Sequence, residues 1–114
     1  MTAMLDISPD QRKLLLELLG QHIPAVEVWA YGSRVIGTAR PLSDLDLVAF
    51  TAPEQAAAIS ELKDALEESD LPFVVDLHVW GDMPERFRDI IRKACVVIQE
   101  REATEISDSE GLNA

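Results

Sequence analysis

The sequence predicts a single α/β domain, and three observations carry that prediction. Helical and strand-like periods alternate along the chain, its 114 residues suit one core, and no internal repeat or low-complexity linker divides it. Ser8-Pro9-Asp10-Gln11 marks the first helix start, with Ser8 as N-cap, Pro9 at the first helical position and Gln11 completing a capping box. Leu14, Leu15, Leu18 and Leu19 follow at helical spacing, and the stretch from Gly20 to Pro24 ends the helix. In VEVWAYG, Val26, Val28 and Ala30 alternate with Glu27, Trp29 and Tyr31, which predicts a strand closed by Gly32-Ser33. Residues 34–42 have room for one short helical turn, ended by Arg40-Pro41.

The second strand is expected over DLDLVAF, from Asp44 to Phe50. Thr51-Ala52-Pro53-Glu54 resembles another capping box and opens a helix through about Glu68, with Ala58, Ile59, Leu62, Ala65 and Leu66 on its period. FVVDLHVW is the most strand-like segment of the chain. A last helix is expected from about Pro84 to Gln99, burying Phe87, Ile90, Ile91, Ala94, Val97 and Ile98, with Cys95 a small core residue on its apolar face. The domain is thus expected over residues 1–100. Residues 101–114, REATEISDSEGLNA, are polar and acidic and read as a disordered tail.

Composition narrows the function classes. No apolar run approaches the ~20 residues of a membrane span, and the N-terminus lacks the basic start and apolar stretch of a secretory signal. The single cysteine cannot form an internal disulfide, so a reducing cytoplasm is the expected home. A formal charge of −11 argues against generic nucleic-acid binding, which needs clustered Lys and Arg. It leaves room for a local site where metal ions bring an anionic ligand to carboxylates.

Such a site has candidates. Residues i and i+2 of a strand share a face about 6.5–7 Å apart, so Asp44 and Asp46 point the same way while Leu45 and Leu47 point the other. Alone, this pair reads as a turn residue and a solvated position. Asp76 alters the balance, because it sits among Val74, Val75, Leu77 and Val79, where an unpaired carboxylate is disfavoured. If its strand lies beside the Asp44–Asp46 strand, three carboxylates converge on one face. Oxygen ligands without a cysteine or histidine pair suit Mg²⁺, or Mn²⁺, better than zinc. Two such ions about 3.5–4 Å apart clamp the attacking and leaving oxygens of a phosphoryl group. Gly32-Ser33 then offers a close backbone approach, N–H groups and a hydroxyl for phosphate oxygens, although alone it is an ordinary strand-to-helix turn.

Gly32-Ser33, Asp44-Leu45-Asp46 and the later Asp76 together resemble the signature of the nucleotidyltransferase superfamily of DNA polymerase beta. "YGSR…SDLDL" is most similar to its small bacterial members, the minimal nucleotidyltransferase (MNT) proteins, and the resemblance spans roughly residues 10–99. It implies an α/β fold with a mixed sheet and a two-metal transfer of a nucleoside monophosphate from an NTP, ATP being the family expectation. Carried over, Asp44 and Asp46 would hold both metals, Asp76 would hold one and help activate the acceptor hydroxyl, and Gly32 and Ser33 would bind the β- and γ-phosphates. Arg34 could add charge to that grip or make a surface ion pair.

Larger relatives carry a further domain for the acceptor, whereas this chain has one helix predicted beyond Asp76. The resemblance to antitoxin halves of HEPN/MNT toxin–antitoxin pairs implies AMP transfer to a tyrosine of a helical HEPN toxin. Two alternatives stay open: a small-molecule acceptor held by a separate helical subunit, and neutralisation of a toxin by binding alone. A homo- or hetero-oligomer is compatible with either. His78 and Trp80 are expected to share the Asp76 face and could contact substrate, but an ordinary strand histidine and a packing tryptophan are the simpler readings. Trp29 and Tyr31 read as structural. Arg86, Arg88, Arg92 and Lys93 form the basic cluster of the last helix, facing solvent or a partner.

Overall fold

The computed structural model describes residues 5–101; the acidic segment 102–114 lies outside the described residues. Helix α1 (Pro9–His22) leads into strand β1 (Val28–Tyr31), a one-turn helix α2 (Ser33–Ile36) and strand β2 (Leu45–Ala49). A 3-10 turn at Pro53–Gln55 precedes α3 (Ala56–Glu68), followed by β3 (Val75–Val79), a second 3-10 turn at Trp80–Asp82, α4 (Glu85–Lys93) and β4 (Cys95–Gln99). The four strands form one mixed sheet in the order β3-β2-β1-β4. β1 runs antiparallel to β2 and to β4, while β2 and β3 are parallel, joined by α3 as crossover. No helix among the described residues is long and apolar enough to cross a membrane.

Capping sets the helix starts. Ser8 Oγ accepts the Gln11 N–H at 3.1 Å and Gln11 Oε1 accepts the Ser8 N–H at 2.8 Å, the reciprocal pair read from the sequence. At α3 half of that arrangement survives: Gln55 Oε1 accepts the Ala52 N–H, but alanine has no side-chain acceptor to return the bond. The core lies on one sheet face. Leu15, Leu19 and Ile23 pack with Val28 and Ala30 of β1, Leu45 and Leu47 of β2, and Leu62 and Leu66 of α3. The alternation seen in the sequence therefore holds: the odd β2 positions enter the core, and Asp46 faces the other way. On that other face Trp29, Phe50 and Trp80 pack ring against ring, with centroids 4.6–5.5 Å apart, so Trp80 serves packing.

The segment after Asp76 departs from expectation. The last helix ends at Lys93, and Cys95–Gln99 form an edge strand against β1 instead of a helix continuing to Gln99. Phe87, Ile90 and Val97, expected inside, are 46%, 61% and 42% exposed, while Ile91 and Ile98 are buried. Cys95 is partly exposed on β4. The apolar positions fit a helical period, but Cys95-Val96-Val97-Ile98 is a β-branched run, and the free edge of β1 supplies its backbone partners. Gln99 then ties the sheet to the α1–β1 turn, its Nε2 donating to the carbonyls of Ile23 and Val26 at 2.8 Å each.

Candidate active site

Register builds the site. Asp46 pairs with Tyr31 across the antiparallel β1–β2 ladder and with Asp76 across the parallel β2–β3 ladder. Directly opposed residues share a face, so the two carboxylates stand side by side on neighbouring strands, about 5 Å apart at Cβ. Asp44 sits just ahead of β2 on an exposed turn. The structure thus sets Asp46 beside Asp76 on the face opposite the core, with Asp44 near enough for its charge to act on Asp46.

Gly32 brings the Gly-Ser turn to the same place. Its φ of 84° and ψ of −156° belong to backbone that only glycine adopts readily. A Cβ built there would collide with Asp46 Oδ2. The missing side chain is therefore the space that the Asp46 carboxylate occupies. Ser33 opens α2, whose first N–H groups have no acceptor within the helix.

Arg34 does something other than grip phosphate, which corrects the expectation for it. It is 5% exposed. Its Nε donates to the Ser43 carbonyl, Nη1 to that of Asp6, and Nη2 to those of Arg40 and Pro41, at 2.8–3.3 Å. The guanidinium also lies 4.1 Å over the Phe73 ring. Four of the five guanidinium N–H donors are thus committed to backbone carbonyls, which leaves no fork for a bidentate grip on an anion. It staples the Arg40–Ser43 turn, which Ser43 also closes by accepting the Arg40 N–H at its Oγ, and so fixes the approach to Asp44.

The electrostatics are those of an acid cluster short of cations. Among the described residues, no Lys or Arg forms an ion pair with Asp44, Asp46 or Asp76. Partial burial, then the charges of Asp76 and Asp44, push the Asp46 carboxyl above the usual range, and His78 draws it partly back. Burial and the Asp46 and Asp76 charges push the Tyr31 phenol up to about 12. His78, two residues along the same face of β3, places Nε2 3.1 Å from Asp76 Oδ2. Sequence reading gave Tyr31 and His78 structural parts; the i+2 spacing of His78 from Asp76 was the signal for its contact, and Tyr31 carried no local signal because its neighbour comes from another strand.

This donor set fits a divalent cation such as Mg²⁺. All three acids are oxygen donors, the cluster lacks compensating charge, and Gly32 leaves the Asp46 carboxylate unobstructed. Among the described residues no group of three or more His, Cys, Asp or Glu side chains stands ready to hold a metal ion, so a cation here would depend on water and a ligand's own oxygens as well as the carboxylates. On the far side of the same face, Arg88 donates to the Trp80 carbonyl, and Arg92 pairs with Asp89 at 2.8 Å. Half of the predicted basic cluster is thus spent within the fold.

Three comparisons bear on the family and the fold. A family model described as a nucleotidyltransferase domain matches residues 12–99. The chain is 48% identical over 103 residues, 90% of each protein, to the probable protein adenylyltransferase MntA of Haemophilus influenzae (strain ATCC 51907 / DSM 11121 / KW20 / Rd). A crystal structure of a toxin–antitoxin with AMP-PNP contains a chain of the same fold, at a TM-score of 0.65 and 22% identity, covering 80% of this chain and 74% of that one.

Proposed function

We propose, from the premise that this chain belongs to the nucleotidyltransferase domain family and is an enzyme of that class, that it moves AMP from ATP to a protein hydroxyl, a tyrosine of a cognate helical HEPN-type toxin, and so acts as the antitoxin. The observation that carries the reading is the register match of Asp46 with Asp76, flanked by Asp44 and backed by the Gly32 turn. The MntA relative is named as a probable protein adenylyltransferase, and the similar fold was solved as a toxin–antitoxin with AMP-PNP. Both support this setting.

Asp44, Asp46 and Asp76 would hold divalent cations, Mg²⁺ first, which supply the positive charge that phosphoryl transfer needs. Gly32 and Ser33 bind the β- and γ-phosphates through N–H groups and the Ser33 hydroxyl. Arg34 holds the turn that aims Asp44. Asp76 lies on the edge strand and has Oδ2 engaged by His78, which leaves Oδ1 to take the proton of the acceptor hydroxyl. The hydroxyl oxygen bonds to the α-phosphorus, the bond from that phosphorus to pyrophosphate breaks, and AMP stays on the acceptor.

The test is host lysate with Mg²⁺ and ATP labelled on the α-phosphate, comparing the wild-type chain with Asp46→Asn. A labelled protein band formed only by wild type is expected, and its mass identifies the acceptor. Absence of any wild-type-dependent band, in lysate containing the helical partner, refutes protein AMP transfer.

A further inference from the structure

The site described above does not account for the outer edge of β3. The sheet ends there, and the Val74 carbonyl accepts the Leu45 N–H at 2.8 Å, so the polar backbone groups of Val74 face β2. Successive residues of a strand turn those groups to opposite edges. The backbone groups of Asp76 and His78 therefore also face β2, and the N–H and C=O groups of Val75 and Leu77 point outward from an edge that no strand among the described residues pairs. Such an edge is a template for another strand unless charge, proline or a bulge blunts it. Of the five residues of VDLHV none is lysine or proline, and the one carboxylate, Asp76, has its backbone groups turned to β2 and its side chain on the face of the acid cluster.

Beside this edge lies a pocket of about 480 Å³, whose walls include Lys63, Leu66, Leu71, Phe73, Val75 and Asp76. Asp76 borders this pocket while its carboxylate stands on the opposite face of the sheet, so pocket and acid cluster flank the same edge strand. Val74 at its mouth is 65% exposed.

We propose that the acceptor protein presents its hydroxyl on an extended segment that adds to the open edge of β3, with an apolar residue next to the acceptor residue seated in this pocket. The inference rests on the reading of the chain as a protein nucleotidyltransferase and specifies how the substrate is recognised. Side chains of an added strand alternate between faces. Those on the Asp76 face lie over the carboxylates, and their immediate neighbours turn toward α3 and the pocket, where Leu66, Leu71, Phe73 and Val75 stand beside Lys63 and Glu67. An added strand lies about 4.8 Å outside β3, so the acceptor side chain must reach across Asp76 toward Asp46. The long arm of tyrosine suits that distance better than serine. Backbone pairing supplies affinity and the pocket supplies selectivity, as in other strand-addition interfaces.

The test uses short synthetic peptides with one central tyrosine, Mg²⁺ and ATP labelled on the α-phosphate. Peptides with leucine beside the tyrosine should be labelled at least about tenfold faster than those with asparagine there, because burying an amide without hydrogen-bond partners is disfavoured. Backbone N-methylation should stop labelling when placed on residues of one alternation and leave it intact on the other. Val75→Pro removes one outward N–H at an edge position where proline is tolerated. It should cut peptide labelling about tenfold with ATP affinity and melting temperature little changed. If Val75→Pro does not fold, the N-methylated peptides still decide.

Equal labelling with either methylation pattern, or of asparagine-flanked peptides, overturns the docking mode. So does labelling of a lysate protein when every peptide stays unlabelled. Those results leave the proposed function standing, whereas failure to label any protein or peptide despite ATP binding removes both.

Discussion

The Gly32 backbone against Asp46 gives the sharpest prediction, and the chain contains its own controls. Gly32 and Gly37 both have positive φ, 84° and 86°, but a Cβ at Gly37 meets nothing within 4 Å, whereas one at Gly32 strikes the Asp46 carboxylate. Gly37→Ala therefore costs only left-handed strain, about 1–2 kcal/mol. Gly32→Ala costs about 1–3 kcal/mol for a conformation reserved to glycine, plus about 0.5–1.5 kcal/mol to force Asp46 off its rotamer. At about 4–8 °C per kcal/mol for a domain of this size, Gly32→Ala should lower the melting temperature by at least about 6 °C. Gly20→Ala, in α1 with open space around it, should raise stability by about 0.5–1 kcal/mol. The decisive readout is binding: calorimetry with ATP and Mg²⁺ should show at least about a tenfold loss for Gly32→Ala and near wild-type affinity for Gly37→Ala. Equal losses in both variants would mean that backbone strain alone matters and that Gly32 does not make room for Asp46.

Further outcomes follow from the charge pattern. Tyr31 is the only tyrosine of the chain, so ultraviolet titration of the folded, metal-free protein should show a phenol midpoint near 12 instead of 10.0, and Asp46→Asn should lower it. Because the folded state keeps that proton longer, Tyr31 makes stability fall as pH rises from about 10 through about 12; a midpoint at the ordinary value would refute the reading. Asp46 is also raised, so between its unfolded and folded pKa values the native state holds more protons and metal-free stability falls with rising pH. Asp46→Asn should then raise the metal-free melting temperature while removing the gain that wild type shows with Mg²⁺ and ATP; a loss in the metal-free protein would contradict the crowded-acid account. Arg34→Ala leaves four carbonyls without their donor and should cost roughly 3 kcal/mol or more in chemical denaturation. Arg34→Lys should recover only part of it, since one ammonium cannot reproduce the planar fork.

What could be read from the sequence was whatever a local pattern encodes. The alternation of VEVWAY and DLDLVAF showed which side chains enter the core and which face Asp46 takes, whereas the strand expected from Asp44 starts only at Leu45 and leaves Asp44 ahead of it. Asp76 drew notice as a carboxylate amid valines and leucine, but its strand lies at the sheet edge and leaves the side chain half-exposed, with His78 3.1 Å away and the repelling Asp46 opposite in register. Arg34 was misread because its neighbours in sequence suggested an anion site, while its acceptors come from Asp6 and from Arg40 to Ser43. The fate of Cys95–Ile98 was decided still farther away. A helical period and a β-branched run coexist there, and no count of local propensity chooses between them. The choice belongs to β1, whose outer edge would otherwise leave N–H and C=O groups of a core strand unpaired. Pairing with β4 converts that edge into the sheet's interior and moves the exposed edges to β4 and β3, the second of which carries the third acid of the site. The ambiguity in the last segment and the placement of Asp76 on an open strand are thus consequences of one strand order.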